Sequence, residues 1–435
     1  MNFIATILFT MLVLIFPPGA RAVEKAPEAQ PGVDSLVEMA LERNPDLKAA
    51  EARWKMFERK VVPAGTLDDP MLSFSMTNYP VDTLEAGETP MTGNDVKLSQ
   101  KFPSPGKLGT REEMAEQQAL WYKGAYEDAR LQLRRKVKDA WYKLFFQDRA
   151  IGILRKNIEI LDDFIHLTET RYEVGKGLQQ DVLKAQVERS KLMDRLFTLQ
   201  QRRESFQADL NTLLARPSTT LISTPDELTM TRVDMDLAEL QKGSESHRPL
   251  YASYTSLVDR FKAQRKLAKL DYWPDFNLWA GYRFREETPG DPVDGTDFVS
   301  GGVAINLPIW RKKRAEAVAE AESGTRMALR QFDDFRDKVF YEIHDAYAQM
   351  EKDRDLVALY KTGIVPQANQ TFQSSMAAYR VGEVDFLSLL DSLLKLYDYE
   401  TDYYRVLTDH ERDVARLEAA SGIAFGEAGS GKATE

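Results

Sequence analysis

The chain has 435 residues, 43% hydrophobic and 29% charged, a formal net charge of −10 and no cysteine. The acidic balance argues against nucleic acid as a partner, and the lack of cysteine excludes disulfides and a thioether-linked lipid anchor. Beyond the N-terminus no stretch approaches the roughly 20 apolar residues of a spanning helix, so any later bilayer crossing must be made of strands.

Phe3 to Phe16 form a mostly apolar run followed by Pro17, Pro18, Gly19 and Ala20-Arg21-Ala22. This reads as a secretory signal peptide over residues 1–22 with an A-x-A cleavage site, although no Lys or Arg precedes the apolar run; an uncleaved anchor is the alternative. From Leu36, apolar residues recur at helical spacing (Met39, Leu47, Ala50, Trp54, Phe57, Val61) until Pro63, Gly65 and Pro70 break the pattern. The period then becomes two. Leu72, Phe74 and Met76 oppose Ser73, Ser75 and Thr77, and after an acidic, Pro/Gly-bearing loop Val96, Leu98 and Phe102 oppose Lys97, Ser99 and Lys101.

From Leu108 to about Arg171 there is no proline, and only Gly124 and Gly152 interrupt a helical pattern. A helix of that length would reach about 95 Å. Arg171-Tyr172-Glu173-Val174-Gly175 reads as a turn, and the return run carries Leu178, Val182, Ala185, Leu192, Leu196, Phe206, Leu210 and Leu213 at steps of three and four. Such spacing with charged flanks needs neighbouring helices to pack against. Residues 216–247 hold Pro217, Pro225 and Gly243 without a strong period and are expected to link two halves at the waist.

The second half repeats the first. Asn44-Pro45 is answered by Arg248-Pro249 and Asp69-Pro70 by Trp273-Pro274 at an offset of 204, Phe102-Pro103 by Leu307-Pro308 at 205, Asp139-Ala140-Trp141 by Asp345-Ala346-Tyr347 at 206, and Tyr172 by Tyr379 at 207. An offset that drifts one way by single residues is what a duplication with small insertions leaves. Phe276, Leu278, Ala280, Tyr282 and Phe284 give the third alternating strand, and Val299, Val303, Ile305 and Leu307 the fourth. Lys313–Tyr379 runs out as a long helix with a break at Gly363 and Pro366, Ala378-Tyr379-Arg380-Val381-Gly382 turns, and Phe386–Ala420 returns. The expected organisation is a first repeat over 23–215, an equatorial linker over 216–247, a second repeat over 248–421, and a disordered Gly/Ala/Ser-rich tail over 422–435. Four strands cannot close a barrel, and open edges in lipid would leave backbone groups unpaired, so other copies of the chain must complete the sheet. The alternative is two hairpins packed on the helices of a soluble protein.

Enzyme chemistry is not signalled. His166, His247, His344 and His410 are dispersed, with no zinc-type pairing, no phosphate-binding glycine loop and no nucleophile elbow. Met71 and Met76 fall on opposite strand faces, unsuited to shared copper ligation. Neither a cofactor nor a resident metal is expected.

Taken in order, Asn44-Pro45, Asp69-Pro70, Gln100-Lys101-Phe102-Pro103-Ser104-Pro105-Gly106-Lys107, Tyr172 and Gly175 with Asp181-Val182-Leu183-Lys184-Ala185-Gln186, and Tyr379 and Gly382 with Leu389-Leu390-Asp391 resemble the TolC-like outer-membrane efflux protein family over nearly all of the chain after the leader. The Phe-Pro-x-Pro-Gly-Lys segment is similar to that of its heavy-metal efflux branch. The resemblance implies a mainly α protein with a small β part, whose long helical hairpins form an α-barrel and whose four strands per protomer make a twelve-stranded barrel in a homotrimer. It implies a passive channel in the outer membrane, in contact with its lipid and extending into the periplasm, that serves a tripartite efflux or type I secretion system. The partners would be a periplasmic adaptor and an inner-membrane pump of the RND or ABC type. Tyr172, Gly175, Tyr379 and Gly382 would mark the periplasmic tip. Tyr379 matches a tip tyrosine and Asp181 its carboxylate partner; Asp391 matches one of two family aspartates that ring the constriction, Ser388 stands at the other position, and Asp385 is a candidate to compensate. The competing reading is a soluble periplasmic coiled-coil scaffold or adaptor, against which the alternating strands speak.

Overall fold

The computed structural model describes residues 32–426, so the expected signal peptide, and the expected tail beyond Gly426, lie outside the described residues. Helix α1 (Val33–Arg43) leads into α2 (Pro45–Glu58), where Asn44 accepts a hydrogen bond from the Leu47 amide at 3.1 Å and Pro45 takes the first helical position, which needs no amide donor. After the short α3 (Val61–Gly65) come β1 (Met71–Thr77) and β2 (Gly93–Phe102), then α4 (Lys107–Glu173) and α5 (Gln179–Leu213). The second half runs α6 (Leu237–His247), α7 (Leu250–Leu270), β3 (Phe276–Phe284), β4 (Phe298–Ile305), α8 (Arg311–Leu359), a π-helical turn (Tyr360–Ile364), α9 (Val365–Val381) and α10 (Phe386–Ser421).

The four strands form one antiparallel sheet in the order β1-β2-β3-β4. Each hairpin stays within a repeat, while the central pairing, with Leu98 opposite Ala280 and Phe102 opposite Phe276, joins the two repeats. Among the described residues, the outer edges of β1 and β4 have no strand partner.

Helix α4 is unbroken for 67 residues, about 100 Å at the α-helical rise. Its Gly124 is a contact point: a methyl there would fall 1.9 Å from Ser253 Oγ and 3.0 Å from the Pro249 carbonyl, so the missing side chain lets α4 and α7 close on each other across the repeats. The cores are serial, strung along the rods. Leu36, Val137, Trp141, Phe145 and Leu210 form one; Leu240, Tyr251, Val339, Ile343 and Leu417 another; and Leu154, Leu161, Phe164, Leu192, Phe386 and Leu393 a third, toward the helical turns. Fully burying such Leu or Phe side chains stabilises by roughly 1.5–3 kcal/mol each.

Two expectations are revised locally. The linker contains a helix, α6, started by a capping box in which Asp236 accepts from the Glu239 amide at 2.8 Å and Glu239 accepts from the Asp236 amide at 3.0 Å. The first residues of the expected tail are packed: Gly422 caps α10 at φ +75°, Ile423 and Phe425 rest against the α6–α8–α10 core, and the Phe425 amide donates to Glu418 at 3.0 Å. An aromatic side chain offered an apolar surface outweighs the local signal of Gly, Ala and Ser.

Candidate functional site

At one end of the rods the sheet sorts its residues by face. The register sets Phe74, Val96, Tyr282 and Val299 in one cross-strand row, and Phe102, Phe276 and Ile305 in another. This apolar face is uncovered: Phe74 is 73%, Val299 80% and Leu72 57% exposed, far from the burial such side chains reach when a protomer covers them with its own helices. On the opposite face Arg283 donates to both Asp95 oxygens at 2.7 and 3.1 Å, Thr77 donates to Asp95, and Lys97 lies 4.3 Å over the Trp279 ring. Trp279 lies flat because its cross-strand neighbour is Gly302, where a Cβ would come within 3.0 Å of the indole. At the base of the sheet Lys107 is 3% exposed and donates to Asp275 at 2.9 Å, while the Ser104 amide donates to the same carboxylate, tying the end of β2 to the start of β3.

At the other end the two Tyr-x-Val-Gly segments have the same geometry. Gly175 has φ +70° and its amide donates to the Tyr172 carbonyl at 2.9 Å, while the Lys176 amide donates to Arg171 at 2.8 Å. Gly382 has φ +85°, with the equivalent bonds to Tyr379 at 3.1 Å and from Glu383 to Ala378 at 2.9 Å. Both are Schellman caps, in which the left-handed glycine satisfies carbonyls the helix leaves open. The repeated motif is therefore a helix stop.

The tyrosines differ. Tyr172 is 48% exposed, whereas Tyr379 is buried beside Phe386, with ring centroids 6.0 Å apart. Arg171 at the end of α4 donates to the Tyr379 carbonyl and stacks its guanidinium 4.7 Å from the Tyr379 ring centre, so the first turn caps the second. Burial pushes the Tyr379 hydroxyl pKa up, Arg171 opposes this, and the carboxylate of Asp181, in the first turn of α5, adds to the rise. Among the described residues no hydrogen bond joins Tyr379 to Asp181. Arg171 was missed from the sequence because its repeat partner is Ala378; the basic residue in the last helical turn was the available signal.

Asp385 is the N-cap of α10 and accepts from the Ser388 amide at 2.8 Å, and its hydrogen bonds with Ser388 hold the carboxyl below its usual range. Asp385 and Ser388 thus serve the helix start. Asp391 is exposed one turn on and meets Lys395 Nζ at 2.8 Å, four residues further along the same face. Lys395 was legible at that spacing and was not read.

A sheet with one bare apolar face and two open edges, carried on paired helical rods that end in capped turns, is the TolC-like fold. Residues 36–216 match the family model described as outer membrane efflux protein. The outer membrane efflux protein BepC of Brucella suis is 25% identical over 58% of this chain and 55% of its own length, so the chain aligns with about half of that relative. The cobalt-zinc-cadmium resistance protein CzcC of Cupriavidus metallidurans is 20% identical over 86% of each chain. In fold, the outer membrane protein VceC of Vibrio cholerae superposes with a TM-score of 0.75 at 18% identity, covering 91% of this chain and 97% of that one. Over residues 36–216 the chain is therefore similar to the outer membrane efflux protein family.

Proposed function

We propose that the protein is the outer-membrane channel of a tripartite efflux or type I secretion system, a passive exit duct that extends into the periplasm. The observation that carries the reading is the sheet: its bare apolar face suits acyl chains, its charged face suits a wet lumen, and its unpaired edges call for further copies. Three protomers would supply twelve strands. The rods would then form a helical tunnel with the Tyr172–Gly175 and Tyr379–Gly382 turns at its periplasmic end.

In this arrangement energy comes from an inner-membrane pump, of RND or ABC type, reached through a periplasmic adaptor. Asp391 from each copy would place three carboxylates around the narrow end, with Asp181, Asp385 and Ser388 nearby on the same turns. A soluble adaptor or scaffold would have no use for a sheet face with Phe74, Val299 and Leu72 uncovered.

Cell fractionation followed by electrophoresis without heating tests the proposal. The expected result is recovery in the outer-membrane fraction as a species of three chains that collapses to one on boiling. A soluble single chain would overturn it.

A further inference from the structure

We propose that the π-helical turn Tyr360–Ile364 is a hinge on which the tip half of the second repeat bends, and that the first repeat has no such joint. What the bend opens rests on the exit-duct reading; where it lies does not.

The repeat offset is 206 at Trp141/Tyr347 and 207 at Tyr172/Tyr379, so the second copy holds one extra residue between those landmarks. An α-helix absorbs a single inserted residue as one π turn. The π turn falls inside that interval, with the Val365 amide donating to the Tyr360 carbonyl five residues back. In the first repeat the matching stretch of α4 is uninterrupted.

Several features weaken the second copy at this place. Pro366, at the start of α9, has no amide to return to the turn, so a carbonyl there lacks its helical partner. Thr362 Oγ1 donates to the Ala358 carbonyl at 2.8 Å, a back-bond that favours helix bending. Between Val357 and Phe372 the protomer buries no side chain, whereas α4 buries Ile151, Leu154, Ile158, Leu161 and Phe164 over the corresponding length. A cavity of about 720 Å³ lies against the turn, bounded by Lys361 and Pro366 on one side and by Gly152 of α4 and Tyr403 of α10 on others. Poor backbone pairing, thin packing and adjacent empty space together set low local stability and leave room for displacement. Because α9 carries Tyr379 and is capped by Gly382, a bend here moves them relative to Arg171, which is fixed to the unbroken rod.

Two measurements on the full-length protein in detergent test the hinge. In hydrogen exchange, amides of residues 360–367 are expected to exchange roughly tenfold or more faster than those of residues 153–160; equal protection would overturn the proposal. A chain lacking Gly363 restores a continuous helix without changing the phase of α9. Assembled as the parent is, it is expected to open in planar bilayers roughly fivefold less often or lower; unchanged opening would overturn the hinge. Should that chain not assemble, Gly363→Ala serves, since its methyl would rest in ordinary van der Waals contact with Leu359 Cδ1 at 3.7 Å. Slower exchange across 360–367 in that variant supports the hinge, and unaltered exchange counts against it. A parent protein that carries no current overturns the exit-duct reading instead, and exchange still decides the hinge.

Discussion

Asp391 and Lys395 illustrate how a single neighbour changes the meaning of a charged residue. A carboxylate alone at the narrow end would attract cations into the lumen, but the Lys395 ammonium 2.8 Å away cancels most of its field at a distance. The proposed ring is then close to neutral, and its charge is set by whichever member is removed. Asp391→Ala leaves three ammonium groups and is expected to abolish block by multivalent cations. Lys395→Ala leaves three carboxylates and should deepen that block roughly threefold to tenfold. Block measured in planar bilayers that is the same in the parent and both variants would remove Asp391 from the gate.

Between elements, the rods are held by ion pairs that cross from one repeat to the other, and Asp139 on α4 is the clearest case. It meets Arg412 of α10 at 2.7 Å and Lys143 at 2.6 Å. Burial would raise its pKa, but the hydrogen bonds from Lys143 and Arg412 outweigh burial and hold the carboxyl below its usual range. A group depressed in this way contributes stability above its unfolded value of about 3.9 and loses it as pH falls through the folded value. Asp139→Asn is therefore expected to destabilise the protein by roughly 1–2 kcal/mol at pH 7. Thermal melts of parent and variant should converge as pH drops below about 4. A difference that persists in full once the pH has fallen low enough to protonate Asp139 in the folded state would show that shape, not charge, makes the contact. The comparison has to be made between variants, because Asp413 on α10 behaves oppositely: burial outweighs Arg416 and raises its pKa.

The same scale shows what could be read beforehand. The strands were legible because a sheet with one apolar and one polar face must alternate, and Leu72, Phe74 and Met76 do so against Ser73, Ser75 and Thr77. The tip glycines were legible because a Schellman cap needs a left-handed residue at Gly175 and Gly382. Helix α6 was hidden by Gly243 and its short length, although Asp236 and Glu239 stand at capping-box spacing. The break near Gly363 and Pro366 was visible, but its π character follows from the repeat offset only when the insertion is placed within one helix. Arg412 on Asp139 joins residues more than 200 positions apart, and nothing local in the chain signals such a pair.

For the whole molecule, the duplication also specifies how copies meet. In the protomer β2 of the first repeat pairs with β3 of the second, setting Ser99 opposite Trp279 and Leu98 opposite Ala280. In a closed ring of repeats the next junction is β4 of one copy against β1 of its neighbour. Shifting the observed register by the repeat offsets, 205 for the first strand and 204 for the second, sets Ala304 opposite Ser75 and Val303 opposite Met76. That register keeps apolar beside apolar on the bare face and small beside polar on the wet face, the requirement a one-residue slip would violate. Directly opposed residues bring their Cα atoms to about 4.5–5.5 Å, a separation a disulfide can span. Because the native chain has no cysteine, the doubly substituted Ser75→Cys, Ala304→Cys protein carries only the two thiols of interest. Mild oxidation in outer membranes is expected to yield covalent trimers on denaturing gels, reversed by reductant, with each single variant remaining monomeric. Cross-linking confined to one chain, or none while the unheated trimer persists, would reject this edge pairing without rejecting the assembly itself.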